Sequence, residues 1–347
     1  MAHETEWSLL RTSKWREPIF ALLFLLLSAL LIGLLSLALR PVRTDYGAVW
    51  GPYLAEPRDS LDYLYLGSSY AYCDFNPSIV YDNSGLTGYV MAGSEQTLSI
   101  TYWYLKEVFQ TQSPSAVVLE ATSLFFARYQ NYTQLNIDLM PFSLNKLGAI
   151  FTAAEPELRT GLLFDLWFYH GRWPEIRPGD IRRALFPIQR DYLKGFTAID
   201  EVKEGVGVEP YVADREVSDE DYAANLSWLA KILDLCAEHG ATPIITFNPT
   251  YTRCTQETYE RIGREIQALD ENVIFCNWSE MFEEIGLVPT AHLYDGGHLN
   301  QDGAAVFSAW LGEYLTEEAG LVPREQTAGN AAHWQESAQW WEDYLKN

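Results

Sequence analysis

At 347 residues the chain is long enough for one large domain or two small ones. Its 48% hydrophobic content excludes disorder as the default state. A formal charge of −23 opposes binding to nucleic acid and to anionic lipid, although local patches of the other sign can still exist.

From Pro18 to Leu39 there are 22 residues without a charge. At about 1.5 Å per residue this run reaches roughly 33 Å, enough to cross a bilayer core. A cleaved signal peptide is the other reading, but its apolar region is usually about 7–15 residues. Leu37-Ala38-Leu39-Arg40 is also a poor cleavage site. The run therefore reads as one uncleaved transmembrane anchor, residues 18–39. Arg11, Lys14 and Arg16 precede it, and Arg40 and Arg43 follow. That bias places residues 1–17 in the cytoplasm and the body of the protein outside, as a single-pass cell-membrane protein. Residues 40–60 form a linker containing Pro and Gly. Beyond Arg43 the chain carries 19 basic and 44 acidic side chains, a net of −25.

The body alternates strands and helices. Leu61–Leu66 reads as a strand ending at Gly67-Ser68-Ser69. A helix follows near Pro77–Tyr81, a strand at Gly88–Met91, helical periodicity over Thr97–Phe109, and a buried strand at Ala116–Glu120. From about 121 to 215 the pattern loosens into aromatics, prolines and arginines, among them Phe125, Phe126, Tyr129, Tyr132, Trp167, Tyr169 and Trp173. No clean strand emerges there, and the stretch reads as a largely helical insertion, a lid or cap over the sheet. Regularity returns at Ser218-Asp219-Glu220-Asp221, which starts a helix that Gly240 stops. Strands at Thr242–Phe247 and Val273–Cys276 flank a helix over about 255–269, and Gly303–Leu315 forms the last helix of the body. Residues 61–322 thus predict an α/β domain with a parallel sheet covered on both faces. In the tail, 323–347, the residues Trp334, Ala338, Trp341 and Leu345 share one helical face suited to docking back on the domain.

In such sheets ligands bind at the carboxyl ends of the strands. Gly67-Ser68-Ser69, Gly93 and the segment after Glu120 fall there. Serine becomes a nucleophile when a base takes its proton and a third group orients that base. Asp295-Gly296-Gly297-His298 supplies a carboxylate and an imidazole three residues apart.

These blocks resemble the SGNH (GDSL-type) hydrolase superfamily over roughly residues 60–320. The resemblance implies a three-layer, flavodoxin-like sheet with the insertion and the N-terminal span added. It implies Ser69 as nucleophile, His298 as base and Asp295 as its orienting acid. It also implies an oxyanion hole built from the N–H groups of Ser69 and Gly93, and needs neither cofactor nor metal. The run Leu299-Asn300 followed by Gly303 is typical as well. One block departs: the family's third block carries an asparagine, but here the strand ends Glu120-Ala121-Thr122-Ser123. Asn248, after a later strand, reads only as a turn cap.

A membrane-anchored branch of the superfamily shares this departure, including proteins of alginate O-acetylation and D-alanyl-teichoic-acid synthesis. Similarity to that branch implies a serine esterase or O-acyltransferase acting on acyl groups of cell-envelope polysaccharide or polymer. It also implies work beside a membrane-bound O-acyltransferase. The alternative is a catalytically weak binding or scaffold subunit of such a complex. Nucleic acid is not an expected partner.

Other residues carry weaker readings. His170-Gly171-Arg172-Trp173 reads as a structural turn, His292 lies outside the Asp-x-x-His spacing, and Asp302 reads as starting or capping the last helix. Cys73, Cys236, Cys254 and Cys276 match no metal motif and leave both disulfides and buried free thiols open. Asn131, Asn225 and Asn277 begin Asn-x-Ser/Thr triplets of the kind that arise by chance.

Overall fold

The computed structural model describes residues 16–41, 50–186 and 190–345, side chains of 183–185 and 345 excepted. Arg11, Lys14, Arg43, most of the N-terminal tail, residues 42–49 of the linker and the Leu345 side chain lie outside the described residues.

The strands in chain order are β1 (Tyr63–Gly67), β2 (Gly88–Ala92), β3 (Ala116–Glu120), β4 (Tyr211–Val212), β5 (Thr242–Phe247), β6 (Thr252–Arg253) and β7 (Ile274–Asn277). Five of them form one parallel sheet in the order β2-β1-β3-β5-β7. Every residue of β1, β2 and β3 is buried. Parallel strands are covered on both faces, which explains why these segments are continuous apolar runs rather than alternating ones.

On one face Tyr63, Tyr65, Val90, Ala92, Val118 and Ile244 join a core with Val80, Phe307, Leu311 and Leu315. Those last four come from the helices Pro77–Ser84 and Gln301–Glu317, which pack together. The period of two turns Leu64, Leu66, Tyr89, Met91, Val117 and Leu119 to the other face, where they are also buried. The helices Leu98–Val108 and Asp219–His239 form a second packed pair. Each fully buried side chain of this size contributes about 1.5–3 kcal/mol relative to exposure.

Local signals account for the helix ends. The Ser218 hydroxyl accepts a bond from Asp221 N at 3.0 Å. Gly240 closes that helix in the left-handed region at φ 69°. At the last helix of the body the cap is Asn300, whose Oδ1 accepts from Gly303 N at 2.9 Å. Asp302 is therefore a first-turn acid and not the cap.

Two details go beyond the sequence reading. The stretch 121–215 does hold a strand: Tyr211–Val212 pairs in parallel with Thr252–Arg253. Its two residues are exposed, so no apolar alternation marked it. All four cysteines are free thiols, with Cys73, Cys236 and Cys254 buried.

The Ala328–Leu345 helix packs on Pro77–Ser84 and buries Trp334 and Trp341. At the other end of the chain, Arg16–Leu39 forms one 24-residue helix, long and apolar enough to span a membrane. The chain divides into two compact units. One joins residues 1–42 to 164–187, and the other joins 43–163 to 188–347.

A candidate Ser-His-Asp active site

The parallel register aligns the carboxyl ends of the strands. Gly67 faces Ala92 across β1 and β2, and Glu120 faces Thr246 across β3 and β5. Ser69, Gly93, residues 121–123 and Asn248 therefore leave the sheet along the same edge.

Gly67 sits at φ 148°, and a Cβ there would lie 3.0 Å from the Glu120 Cβ. Only glycine fits this close crossing of two strands. The chain then turns, with Ser68 extended, into the short helix Ser69–Asp74. Ser69 is the first residue of that helix, so its N–H has no intrahelical acceptor and is available to another group.

The Asp-His loop is built locally. Leu293 and Leu299, both fully buried, form an antiparallel bridge that closes it. Asp295 Oδ1 accepts from the backbone N–H groups of Gly297 and His298 at 2.8 and 2.9 Å. The same oxygen meets His298 Nδ1 at 2.9 Å. Burial disfavours the Asp295 carboxylate, but the His298 bond and charge and the two N–H donors outweigh it. Its pKa is held well below the usual carboxylate range. Lys203 Nζ stands 3.5 Å from Oδ2.

His298 Nε2 lies 2.8 Å from Ser69 Oγ, across 229 residues of sequence. With the ring proton on Nδ1, toward Asp295, Nε2 accepts from the serine hydroxyl. Ser69 is half-buried, and both His298 and Asp295 keep about a quarter or less of their side chains exposed. This arrangement can take a proton from a hydroxyl and hold the imidazolium that results.

Gly93 begins the turn after β2, and its carbonyl accepts from Gln96 N at 3.1 Å. A Cβ at Gly93 would stand 2.1 Å from the Asn136 amide oxygen. Asn136, buried and supplied by the insertion, donates Nδ2 to Ser94 O at 3.0 Å.

At the departing block, Glu120 is fully buried. Its Oε1 accepts from Thr122 N at 3.0 Å and from the Thr122 hydroxyl. Burial raises its pKa to about 7, against the lowering effect of those bonds and of Arg215. Among the described residues Glu120 Oε2, Ser68 Oγ and Ser123 Oγ are buried without a hydrogen-bond partner.

Several residues here carried no sequence signal. Tyr70 stacks on His298 with ring centroids 4.7 Å apart. The Arg215 Nη2 donates to the Tyr70 hydroxyl at 2.8 Å. Asn248 is more than the turn cap its position suggested. Its Nδ2 donates to Tyr70 O at 2.9 Å and to Asp74 Oδ2 at 3.1 Å, and its Oδ1 accepts from the Tyr65 hydroxyl at 2.6 Å. Asp74 Oδ1 in turn accepts from Leu299 N at 2.8 Å. Asp74 and Asn248 therefore tie the Ser69–Asp74 helix to the end of β5 and to Leu299. Burial pushes the Asp74 carboxyl well above its ordinary pKa, despite the two donors it accepts from.

The remaining candidates stand apart from this chemistry. His292 Nδ1 accepts from Val288 N at 3.0 Å and so closes its own turn. His170 lies in the 164–187 segment, within the other unit. Among the described residues no group of three or more His, Cys, Asp or Glu side chains could hold a metal ion. No family model and no curated protein matches the chain.

Proposed function

We propose that the protein is a membrane-anchored, extracytoplasmic serine esterase or O-acyltransferase of the SGNH type. Its substrates would be acyl groups on a cell-envelope polysaccharide or polymer. The observation that supports this is the chain of contacts from Ser69 Oγ to His298 Nε2 at 2.8 Å and from Nδ1 to Asp295 Oδ1 at 2.9 Å. The strand order, with its switch between β1 and β3 beside Ser69, suits a flavodoxin-like three-layer body.

In this mechanism Ser69 Oγ attacks the acyl carbonyl as its proton passes to Nε2. The N–H groups of Ser69 and Gly93 stabilise the oxyanion, and His298 then protonates the leaving oxygen. Water or an acceptor hydroxyl, activated by the same imidazole, releases the acyl group from Ser69. A membrane-bound O-acyltransferase is the expected partner if the acyl group is transferred.

The alternative is a scaffold or binding subunit, favoured by the absence of an asparagine in residues 120–123. One experiment separates the two. The purified full chain should react with a fluorophosphonate probe and turn over an aryl acetate, and Ser69→Ala should remove both activities. Labelling that survives Ser69→Ala would reject Ser69 as nucleophile. A chain that neither labels nor turns over would favour the scaffold.

A further inference from the structure

The unit that contains the apolar Arg16–Leu39 helix also contains residues 164–187. This segment comprises the short helix Leu166–Tyr169, the 3-10 turn His170–Glu175 and the helix Pro178–Leu185. All three contact the long helix. The contacts include its carboxyl end: Arg172 donates Nη1 to the Leu39 carbonyl, and Asp165 pairs with Arg40. Leu39 is the last residue of the helix and Arg40 the first charge after it, so this end marks the level where a span would leave the hydrocarbon layer.

The segment's outer surface does not resemble that of an ordinary soluble loop. Phe164 is 67% exposed, Trp167 67%, Trp173 71%, Phe186 62% and Ile181 49%. Five large apolar side chains within 23 residues of sequence are held out of the fold. Four arginines, 172, 177, 182 and 183, accompany three acids here, so the segment is locally basic in a chain of net −23. Arg172, Glu175, Arg177 and Asp180 also line a cavity of about 730 Å³, with charges of both signs on its wall. Tryptophan with arginine at the end of an apolar span is the composition of a membrane–water boundary, where ring and guanidinium each find a suitable medium. A helix with one apolar and one basic face settles in the plane of that boundary.

We infer that residues 164–187 are a second membrane-contacting element. It lies in the lipid headgroup layer around the end of the Arg16–Leu39 span, with Phe164, Trp167, Trp173, Ile181 and Phe186 against lipid. The inference rests on reading that helix as a span, and is independent of the chemistry at Ser69. The occupant is the phospholipid surface itself, because the element is continuous with the one helix that would be embedded in it.

The test uses the full chain in phosphatidylcholine–phosphatidylglycerol nanodiscs. Two photoactivatable phospholipids are compared, one with its diazirine beside the headgroup and one with it at the acyl terminus. Peptide mapping should find the acyl-end probe on residues 19–37 and the headgroup probe on residues 164–186. Trp167→Ser combined with Trp173→Ser should cut headgroup-probe adducts on the segment at least five-fold and leave those on the span unchanged. A labelled span with an unlabelled 164–187 segment overturns the inference and leaves the anchor standing. An unlabelled span overturns both. In native membranes, a photo-crosslinker replacing Trp173 that traps a protein instead of lipid would assign this surface to a protein partner, and so overturn the lipid reading.

Discussion

Glu120 shows how a single residue at the site links ionisation to stability. It is fully buried at the end of β3, and burial raises its pKa to about 7 from an ordinary 4.5. A carboxyl whose folded pKa lies above its unfolded value favours the fold in its neutral form. Below about pH 4.5 both states are protonated and there is no penalty. Between about 4.5 and 7 the unfolded chain loses its proton while the folded chain keeps it, so stability falls as pH rises. At about 1.4 kcal/mol per pKa unit, the loss approaches roughly 3 kcal/mol above pH 7. Glu120→Gln keeps an acceptor for Thr122 and removes the titration. The variant should match the parent near pH 4.5 and exceed it in stability by about 2–3 kcal/mol at pH 8 in denaturant unfolding. A gap that does not change with pH would show that Glu120 is not held neutral by the fold. Asp295 titrates with the opposite sign. Its pKa is depressed, so what it adds to stability is present above the ordinary carboxylate range and lost as pH falls through its folded pKa.

Among elements, those the sequence made legible carry their own signals. β1, β2 and β3 up to Glu120 are apolar runs, β5 carries the buried run Pro243-Ile244-Ile245, and Ser218 and Gly240 bound their helix by capping chemistry that needs no tertiary partner. Ser69, Asp295 and His298 were legible for the same reason, because a glycine turn after a strand and an Asp-x-x-His loop are local patterns. Asp74 and Asn248 were not. They meet across 174 residues, and each taken alone is an ordinary polar side chain near a strand or helix end. The link from the insertion to the β2 turn was hidden in the same way, since Asn136 reaches Gly93 only through tertiary packing. That contact predicts a separable defect. Gly93→Ala would set its Cβ 2.1 Å from the Asn136 amide oxygen. It should destabilise the fold by about 1–3 kcal/mol, as overpacking does, and should also lower the proposed esterase activity by shifting the Gly93 N–H, the proposed oxyanion donor. Adding Asn136→Ala removes the clash and should restore most of the lost melting temperature. Gly93 has no positive φ, so alanine keeps the backbone N–H in place, and activity should recover along with the fold. Activity that stays down in the double variant while the melting temperature recovers would show that the Asn136 amide itself is needed at the site.

Across the whole molecule, an N-terminal helix long and apolar enough to span a membrane and the α/β body follow from the uncharged run and from the alternation of strands and helices. The division into units does not. Nothing local in 164–187 announces that it belongs with residues 1–42, because that association depends on Arg172 and Asp165 meeting the end of a helix more than 120 residues earlier. Net charge is a second property of the whole chain. Acidic side chains number 47 against 24 basic ones, so pairs such as Glu56 with Lys194 and Arg190 cannot neutralise the excess of acid. Such self-repulsion disfavours the compact state, and salt screens it over a Debye length of about 10 Å at 0.1 M and about 30 Å at 0.01 M. The Glu56 pairs are buried and would be screened little. Raising sodium chloride from 10 to 150 mM should therefore stabilise the full chain in a neutral detergent. A gain of about 1 kcal/mol corresponds to a rise of about 2–4 °C in melting temperature for a domain of this size. Mutating acids far from the site to lysine should raise the melting temperature at 10 mM and flatten its salt dependence. A melting temperature that falls with salt would mean that attractive pairs, rather than the excess of acid, dominate the electrostatics of the fold.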